Sequence, residues 1–580
     1  MSYLPLYAQL QATFNKILQQ NYSNIECTFN IESPKNPDHG DFSCNIAMML
    51  AKKIKKNPME IAETISENIK NTTSLSLDKI LVARPGFINI FVNPKDWMKS
   101  LPAIFQNKED FFRPNIGKNR SVYLEYVSSN PTGPLHIGHG RCGAIGSSLA
   151  LLFEETGFNV HREYFINDAG RQIHILATSV WLRFLQIKKH KLLYPKKAYQ
   201  GSYIHDIAVE LLQENELLSI PEQHLMPDLN PVQTDSNQDE KWLEFCITLY
   251  QRLYQASTRA SFEKACVKFV LKMIQKECED FNVNFDAWFS ERSLVNDGSV
   301  EASLLALKER DHIYEKDGAI WFKAQSLGDE KDRVLVKANG DYTYFATDIA
   351  YHWHKLQTQP DFIIDIMGAD HHGYIPRLKA ALIGLGMAPD RFNAIIYQFI
   401  TLMQNQQQVQ MSTRQGSYVT LQELIEQVGL DCARFYLLQK KPDQHITFDL
   451  DIAKKESLDN PIFKIHYAYA RIMSILRKLP KNAIAKNHLD YLPSHHEKSI
   501  IKLLNRYPDI LRACVRDHSL HYLCQYLLEV ASQLHSYYST TKIIQEDLEI
   551  LSQRHYLIVC IANTLNKGLA ILGLQAKETM

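Results

Sequence analysis

The chain has 580 residues, of which 45% are hydrophobic and 22% are charged. This length predicts several domains with buried cores, and this composition excludes a wholly disordered chain, a collagen and a coiled-coil rod. The 64 basic residues balance the 64 acidic ones, so a nucleic-acid partner would have to bind a local basic patch rather than the chain as a whole.

The ten cysteines are scattered along the chain, and no two of them form a CxxC pair. Single thiols in a large chain are typical of a reducing compartment, so we expect a cytoplasmic protein with no structural zinc and no other resident metal. The apolar stretches are far shorter than a bilayer-spanning helix, and the first twenty residues lack the pattern of a secretory signal. We therefore expect no contact with a membrane.

Residues 1–105 mix helical and strand patterns and predict an N-terminal α+β domain. A strand pattern over residues 79–92 is interrupted by a Pro-Gly pair, and the proline-containing stretch 93–102 predicts a linker. Lysines are concentrated at Lys52, Lys53, Lys55 and Lys56. Such a segment either binds phosphates or is simply the solvated face of a helix.

The middle of the chain, residues 115–450, alternates strand and helix patterns, which is typical of an α/β domain with a parallel sheet. The predicted strands are 121–127, 159–166, 361–367 and 394–403. Residues near 175–310 interrupt the alternation and predict a helical insertion. From residue 455 to the end the pattern is helical, which predicts a C-terminal all-α bundle.

The segment EYVSSNPTGPLHIGHGR, residues 125–141, places a strand, a polar turn and the start of a helix next to one another. His136 and His139 are three residues apart and therefore share one face of that helix. Gly138 leaves room for a flat ligand, and the free N–H groups of a helix start suit a phosphate. Because imidazoles can stabilise charge on phosphate oxygens, we expect both histidines to be catalytic.

This segment resembles the HIGH signature of class I aminoacyl-tRNA synthetases, present here as His136-Ile137-Gly138-His139. The resemblance implies that the α/β domain is Rossmann-like and binds its substrates at the carboxyl edge of the strands. It also implies ATP as a substrate, accompanied by Mg²⁺. The residues that it implies in ATP binding are His136, Gly138, His139, Asp370 and Met411.

The second signature of the family, KMSKS, has its nearest match in residues 410–414, QMSTR. Both lysine positions carry neutral residues, which cannot attract a triphosphate as lysine does. Arg414 is the cation that remains, and Gly133 stands where some arginyl enzymes carry a compensating lysine. The resemblance implies catalytic roles for Ser412 and Arg414 and leaves open which residue neutralises the terminal phosphates of ATP.

Three details resemble the arginyl-tRNA synthetases in particular: the form of the HIGH region, DYTYFATD at 341–348 and GADHHGY at 368–374. A guanidinium is planar, permanently charged and rich in donors, so a selective pocket needs fixed carboxylates. Glu125 and Asp348 would supply two, although a helix cap is a sufficient structural reason for Asp348. The residues that the resemblance implies in arginine binding are Glu125, Ser128, Asn130, Tyr344, Asp348 and His371.

Both flanking regions resemble the same family. Residues 40–47 and 84–89 match the arginyl N-terminal domain, which implies contact with the D-loop corner of tRNA and a phosphate role for the four lysines of 52–56. Residues 431–434, DCAR, resemble the DALR pattern and imply that 455–580 is an anticodon-binding bundle. There Tyr537 and Tyr538 are expected either to stack on unpaired bases or to belong to the core.

The sequence therefore predicts an enzyme that attaches L-arginine to tRNA(Arg) through an arginyl-adenylate, releasing AMP and pyrophosphate, and that works as a monomer. Two alternatives stay open. One is a class I synthetase for another amino acid, and the other is a non-catalytic tRNA-binding paralogue, which the altered QMSTR segment would suit.

Overall fold

The computed structural model describes residues 6–32, 34, 36–106, 111, 113–190, 192–213, 236–409, 419–480 and 494–580. The chain divides into two compact units. The first comprises 1–114, 457–517 and 522–580, so it joins the N-terminal region to the C-terminal helices. The second comprises 115–456 and 518–521. None of the described helices is long and apolar enough to cross a membrane.

The N-terminal part of the first unit is a four-stranded antiparallel sheet, ordered β1-β2-β4-β3, with helices packed against it. Its elements are α1 (Leu6–Asn21), β1 (Ile31–Glu32), β2 (Phe42–Cys44), α2 (Ile46–Ile54), α3 (Pro58–Thr72), β3 (Leu77–Ala83), β4 (Phe87–Val92), α4 (Pro94–Met98) and α5 (Leu101–Gln106).

The expectation of a linker at 93–102 is wrong, because this stretch forms α4 and α5. Asn93 caps α4 by accepting a hydrogen bond from the N–H of Lys95, and Pro94 occupies the first turn. Proline suits the first turn of a helix, where its missing N–H has no helical partner in any case. The prolines of this segment therefore start helices instead of preventing them.

The second unit is built on a five-stranded parallel sheet, ordered β12-β11-β5-β6-β7. The elements up to its third strand in the chain are β5 (Ser121–Glu125), α6 (Ile137–Glu155), β6 (Asn159–Ile166), α7 (Arg171–Ile187), α8 (Ser202–Gln213), α9 (Ser236–Leu253), α10 (Ala256–Asp280) and β7 (Ala287–Ser290). The α/β class with a parallel sheet is confirmed.

The elements that follow are α11 (Glu291–Asn296), α12 (Ser299–Glu309), β8 (Ile313–Lys316), β9 (Ala319–Phe322), β10 (Arg333–Val336), α13 (Tyr344–Gln357), β11 (Phe362–Gly368), α14 (Ile375–Gly384), β12 (Phe392–Tyr397), β13 (Ile400–Gln404), β14 (Gln407–Gln408), α15 (Leu421–Val428), α16 (Leu430–Leu438), β15 (Ile446–Asp449) and α17 (Leu450–Ala453). A short 3-10 helix, Ala369–Tyr374, follows β11. Two small sheets, β10-β9-β8 and β14-β13-β15, accompany the main one.

Two boundaries in this unit differ from the sequence prediction. The predicted strand 394–403 is two strands in different sheets, because β12 pairs with β11 whereas β13 pairs with β14 and β15. Between them the carbonyl of Gln398 accepts a hydrogen bond from Arg141. The helical insertion near 175–310 is also shorter than expected. Helices α7–α10 are present within it, but β7 joins the main sheet. Beyond the predicted span, β8–β10 form an antiparallel sheet whose four-residue strands gave no clear periodicity.

The C-terminal part of the first unit is helical, with α18 (Pro461–Lys478), α19 (His495–Asn505), α20 (Tyr507–Asp517), α21 (His521–Thr540) and α22 (Leu548–Ile571). The DCAR segment lies outside it, in α16 of the second unit. There the side chain of Arg434 is completely buried. It donates hydrogen bonds to the carbonyl of Phe281 (2.6 Å) and to the hydroxyls of Ser147 (2.8 Å) and Ser148 (3.0 Å).

We expect Arg434→Met to lower the free energy of unfolding by about 3 kcal/mol, because buried acceptors would lose their donor. Arg252→Met, an exposed arginine on α9, is the matched control and should change it by less than about 0.5 kcal/mol. Urea unfolding followed by circular dichroism measures both. Equal stability of the two variants would contradict the structural role of Arg434.

Candidate active site

The carboxyl ends of β5, β6, β7 and β11 meet at one edge of the parallel sheet, where open α/β sheets bind their ligands. The chain turns sharply after β5, since Val127 and Ser128 have positive φ angles of 68° and 39°. Ser128 Oγ accepts a hydrogen bond from the N–H of Phe165 on β6 (3.1 Å). This turn leads to the exposed Asn130 and then to the start of α6.

His136 caps α6 through its own side chain. Its Nδ1 accepts hydrogen bonds from the N–H groups of Gly138 (3.0 Å) and His139 (3.3 Å), and His139 Nδ1 faces the N–H of His136 (3.4 Å). The two rings are stacked with centroids 3.6 Å apart. A Cβ at Gly138 would lie 2.9 Å from the His136 ring, so glycine at this position is what allows the ring to cap the helix.

Burial lowers the pKa of both His136 and His139 from its ordinary value, so both rings are neutral at neutral pH. Because each Nδ1 accepts a backbone hydrogen bond, the proton of each neutral ring is on Nε2. Nε2–H is therefore the group through which each ring can donate to an oxyanion. The pair acts by hydrogen bonding from a fixed geometry rather than by a positive charge.

A cleft of about 820 Å³ begins at these histidines and extends towards α7, α8 and α9. Thr132 and Gly133 line one side, where the carbonyl of Thr132 accepts a hydrogen bond from the hydroxyl of Tyr203 (2.6 Å). Thr420, two residues beyond the end of the undescribed segment 410–418, also lines the cleft. The cleft therefore connects the HIGH region to the inserted helices.

Two cations stand at the far end of the cleft, each already paired with a glutamate. Arg171 donates to Glu240 (2.8 Å) and to Glu244, and Lys197 donates to Glu240 (2.5 Å). All four side chains are more than 40% exposed. Exposed ion pairs contribute little stability, so these cations can exchange their partners readily.

Carboxyl groups gather beside the sheet edge, on the side of β6 and β7. The hydroxyl of Tyr374 donates to Asp348, and burial raises the pKa of Asp348 above its ordinary value. Glu291, directly after β7, is only 9% exposed, and its pKa is raised to about 7 by burial and by the charges of Asp348 and Asp168. A bound cation is the simplest compensation for such a cluster.

Glu125 ends β5 beside this cluster, and its charge adds to the rise in the pKa of Asp348. One of its oxygens accepts a hydrogen bond from the buried ammonium of Lys355 (2.5 Å). The structure therefore brings Glu125, Asp348 and His371 near one another, as predicted for one pocket, while showing that Glu125 already has a cationic partner.

Three further predicted site residues, Tyr344, Asp370 and His371, are exposed to solvent. Tyr344, at the start of α13, is 78% exposed, and its hydroxyl lies near Gly170. Asp370 and His371 follow β11, with a carboxylate oxygen of Asp370 3.5 Å from Nε2 of His371. Met411, Ser412 and Arg414 lie outside the described residues.

The predicted tRNA-binding residues differ in their exposure to solvent. Lys52, Lys53, Lys55 and Lys56 are exposed around the end of α2, and Lys53 donates to the carbonyl of Glu26. The expectation that the Tyr537 ring is exposed for base stacking is wrong, because it is completely buried and its hydroxyl donates to Glu497 (2.8 Å). Tyr538 is 43% exposed, and the guanidinium of Arg471 lies 4.3 Å from the centre of its ring.

Comparison with known proteins covers almost the whole chain. Three family models match: the arginyl-tRNA synthetase N-terminal domain at residues 8–92, the class I (R) catalytic domain at 100–465 and the DALR anticodon-binding domain at 465–580. The chain belongs to the arginyl-tRNA synthetase family. A curated arginine–tRNA ligase of Legionella pneumophila is 41% identical over 99% of this chain and 98% of its own.

Further relatives agree with this assignment. An arginine–tRNA ligase of Coxiella burnetii is 41% identical over 94% of this chain and 93% of its own. The solved structure of Thermus thermophilus arginyl-tRNA synthetase superposes with a TM-score of 0.74 over 99% of this chain and 100% of its own. At 20% identity, this last likeness shows the fold alone.

Two polar residues of the site were missed at the level of sequence, Glu291 and Lys355. Glu291 begins the short helix α11 in FSERSL, where a glutamate in the first turn is common for reasons of helix stability alone. Lys355 lies in the last turn of α13, where a basic residue is equally common. For Lys355 the signal that could have found it is its position on the same helix as Tyr344 and Asp348, whereas Glu291 lies on another helix and only the fold shows what it faces.

We expect Glu291→Gln to flatten the pH dependence of stability. The folded chain holds the Glu291 proton up to about pH 7, whereas the unfolded chain releases it near 4.5. Stability from this group is therefore complete below the unfolded pKa and is lost as pH rises through about 7. The loss is on the order of 3 kcal/mol.

The measurement is the free energy of unfolding of wild type, Glu291→Gln and Glu309→Gln at several pH values from about 4.5 to 8. Glu309 is exposed on the neighbouring helix α12 and serves as the control. A wild-type curve that keeps its slope in Glu291→Gln would show that another group is responsible.

Proposed function

We propose that this chain attaches L-arginine to tRNA(Arg) in two steps, first joining arginine to AMP from ATP and then transferring it to the terminal ribose. The observation that carries the proposal is the group of carboxyls, Glu125, Glu291 and Asp348, at the same edge of the sheet as the paired histidines. Family membership supports the same activity.

The carboxyl cluster would bind the guanidinium group. Asp348 and Glu291 are ionised only at a cost when the pocket is empty, as their raised pKa values show. A guanidinium, permanently charged and with five donors, offsets that cost and pairs with several oxygens at once. Lysine would supply the charge but leave buried acceptors unpaired, so the pocket favours arginine. Tyr344, Ser128 and Asn130 would hold the rest of the amino acid.

The histidine pair would act on the α-phosphate of ATP. When the carboxylate of arginine attacks phosphorus, charge grows on the phosphate oxygens, and the Nε2–H donors of His136 and His139 would stabilise it. Fixed donors need no reorganisation during the reaction. We assign the adenosine to Gly138, Asp370 and Met411, the leaving pyrophosphate to the neighbourhood of Ser412 and Arg414, and His371 to the arginine pocket. Mg²⁺ enters with ATP as part of that substrate.

Transfer RNA would contact both units. We assign the terminal nucleotide to the cleft, where Arg171 and Lys197 can exchange their glutamates for phosphates. We assign the lysines of 52–56 to the tRNA backbone and Tyr538, backed by Arg471, to an unpaired base. We further propose that the enzyme is a monomer and that it is located in the cytoplasm. We propose three functional domains, at residues 1–105, 115–450 and 455–580.

Pyrophosphate exchange with each of the twenty amino acids, with and without bulk tRNA, tests the proposal. We expect exchange with arginine alone, because no other amino acid carries a guanidinium. Exchange with another amino acid would refute the assigned pocket. No exchange from protein that still binds tRNA would replace the proposal with the non-catalytic paralogue.

We expect Asp348→Asn to raise the KM for arginine about tenfold or more while leaving the KM for ATP nearly unchanged, because it weakens a charge-assisted contact. His139→Ala is the counterpart and should lower kcat about tenfold or more with little change in the KM for arginine. Aminoacylation kinetics with each substrate varied in turn measure both variants. Equal effects of Asp348→Asn on the two KM values would remove Asp348 from the guanidinium pocket.

A further inference from the structure

Three carboxylates lie side by side at the same level of three adjacent parallel strands. Asp365 of β11 is in register with Glu125 of β5, and Glu125 is in register with Glu163 of β6. Residues in register point to the same face, and like charges in this arrangement repel one another. Asp365 and Glu163 are each 1% exposed, so water cannot screen the repulsion. We call these three residues the carboxylate row.

The side chain of Lys355 extends from α13 to the carboxylate row and is completely buried. Its Nζ donates to Glu125 (2.5 Å) and to Asp365 (2.8 Å). The same atom lies 4.4 Å from the centre of the Tyr351 ring and 5.8 Å from that of Tyr123. Burial works against the ammonium, but the two carboxylates outweigh it and raise the pKa of Lys355 above its ordinary value.

The other two members of the row have further partners of their own. Glu163 accepts hydrogen bonds from the hydroxyls of Tyr123 (2.6 Å) and Tyr351 (2.7 Å). Asp365 faces Nε2 of His352 (2.8 Å), whose Nδ1 faces the carbonyl of Asp348 (2.8 Å). Against burial, Lys355 and His352 together lower the pKa of Asp365 to about 2.

Glu125 differs from its neighbours in the row, because its side chain is 14% exposed and it takes only one hydrogen bond from the ammonium through one oxygen, Oε2. It is the member of the row that a substrate can reach. Lys355 fixes the position of this carboxylate and offsets its charge. The row's other members, Asp365 and Glu163, hold the ammonium and the tyrosines in place.

We propose that Lys355 is a positioning residue for amino-acid recognition, which holds Glu125 in the orientation that accepts hydrogen bonds from the substrate guanidinium. This rests on the proposed function, and it adds a residue that touches no substrate. Glu125 then contributes direction and acceptor geometry, whereas Asp348 and Glu291 are the carboxyls whose ionisation a bound cation favours.

Lys355→Met alone would leave two buried carboxylates without their cation and is expected to lose stability. Pairs that also neutralise one carboxylate of the row lessen this problem, because they remove one charge of each sign. Asp365→Asn combined with Lys355→Met removes one charge of each sign, and the comparison with Asp365→Asn alone isolates the bond to Glu125. Glu163→Gln combined with Lys355→Met is a second balanced pair, compared with Glu163→Gln alone. Lys379→Met, an exposed lysine on α14, is the control for losing a lysine.

Aminoacylation by the full chain, with thermal unfolding of each variant, tests the proposal. Adding Lys355→Met to either background should raise the KM for arginine about tenfold or more and change the KM for ATP less than about twofold. Lys379→Met should change neither. An unchanged KM for arginine in both backgrounds, or equal rises for arginine and ATP, would overturn it. Wild-type activity with arginine in the same assay keeps such a result separate from a failure of the proposed function.

Discussion

The buried ammonium of Lys355 is the constraint on which the substrate edge of the sheet depends. Parallel strands in register present their side chains in rows, and here one row consists of carboxylates. A row of this kind could not be buried without a cation, since isolated charges pay a large desolvation cost. The cation comes from α13, which also carries Tyr344 and Asp348. The helix must therefore pack on the sheet with one rotation about its own axis and at one height. The pocket is thereby fixed by the same contacts that make the sheet edge stable.

The histidine pair follows a different rule. His136 and His139 make hydrogen bonds with the backbone N–H groups of their own helix start. Burial keeps them neutral, and backbone donors fix their tautomer. The site therefore separates its tasks: acidic groups on one side for a cationic substrate, and neutral donors on the other for an oxyanion. A charged imidazole beside the carboxyl cluster would weaken both the binding of the cationic substrate and the stabilisation of the oxyanion.

Much of this arrangement could be predicted from the sequence, because motifs and strand patterns report local geometry. The HIGH segment indicated a strand, a turn and a helix start, and β6 was predicted with its exact bounds. Contacts between distant segments could not be predicted. Nothing local distinguishes Glu163, Asp365 or Lys355 from ordinary strand and helix residues until the register of three strands is known. The prediction that Tyr537 stacks on a base is wrong for the same reason, since an aromatic residue on a helix is exposed or buried according to partners far away in the chain.

The ion pairs at the far end of the cleft have a consequence for the conditions under which the enzyme works. Arg171, Lys197, Glu240 and Glu244 are exposed to solvent, so their mutual attraction is screened over a Debye length of about 8 Å at physiological ionic strength. Asp365 and Glu163 of the carboxylate row are buried, so their interactions with Lys355 and the tyrosines are screened far less. Raising the salt concentration therefore weakens the ion pairs at the far end of the cleft while the buried contacts of Lys355 keep their geometry, so that ionic strength acts on how ligands arrive rather than on what the site selects.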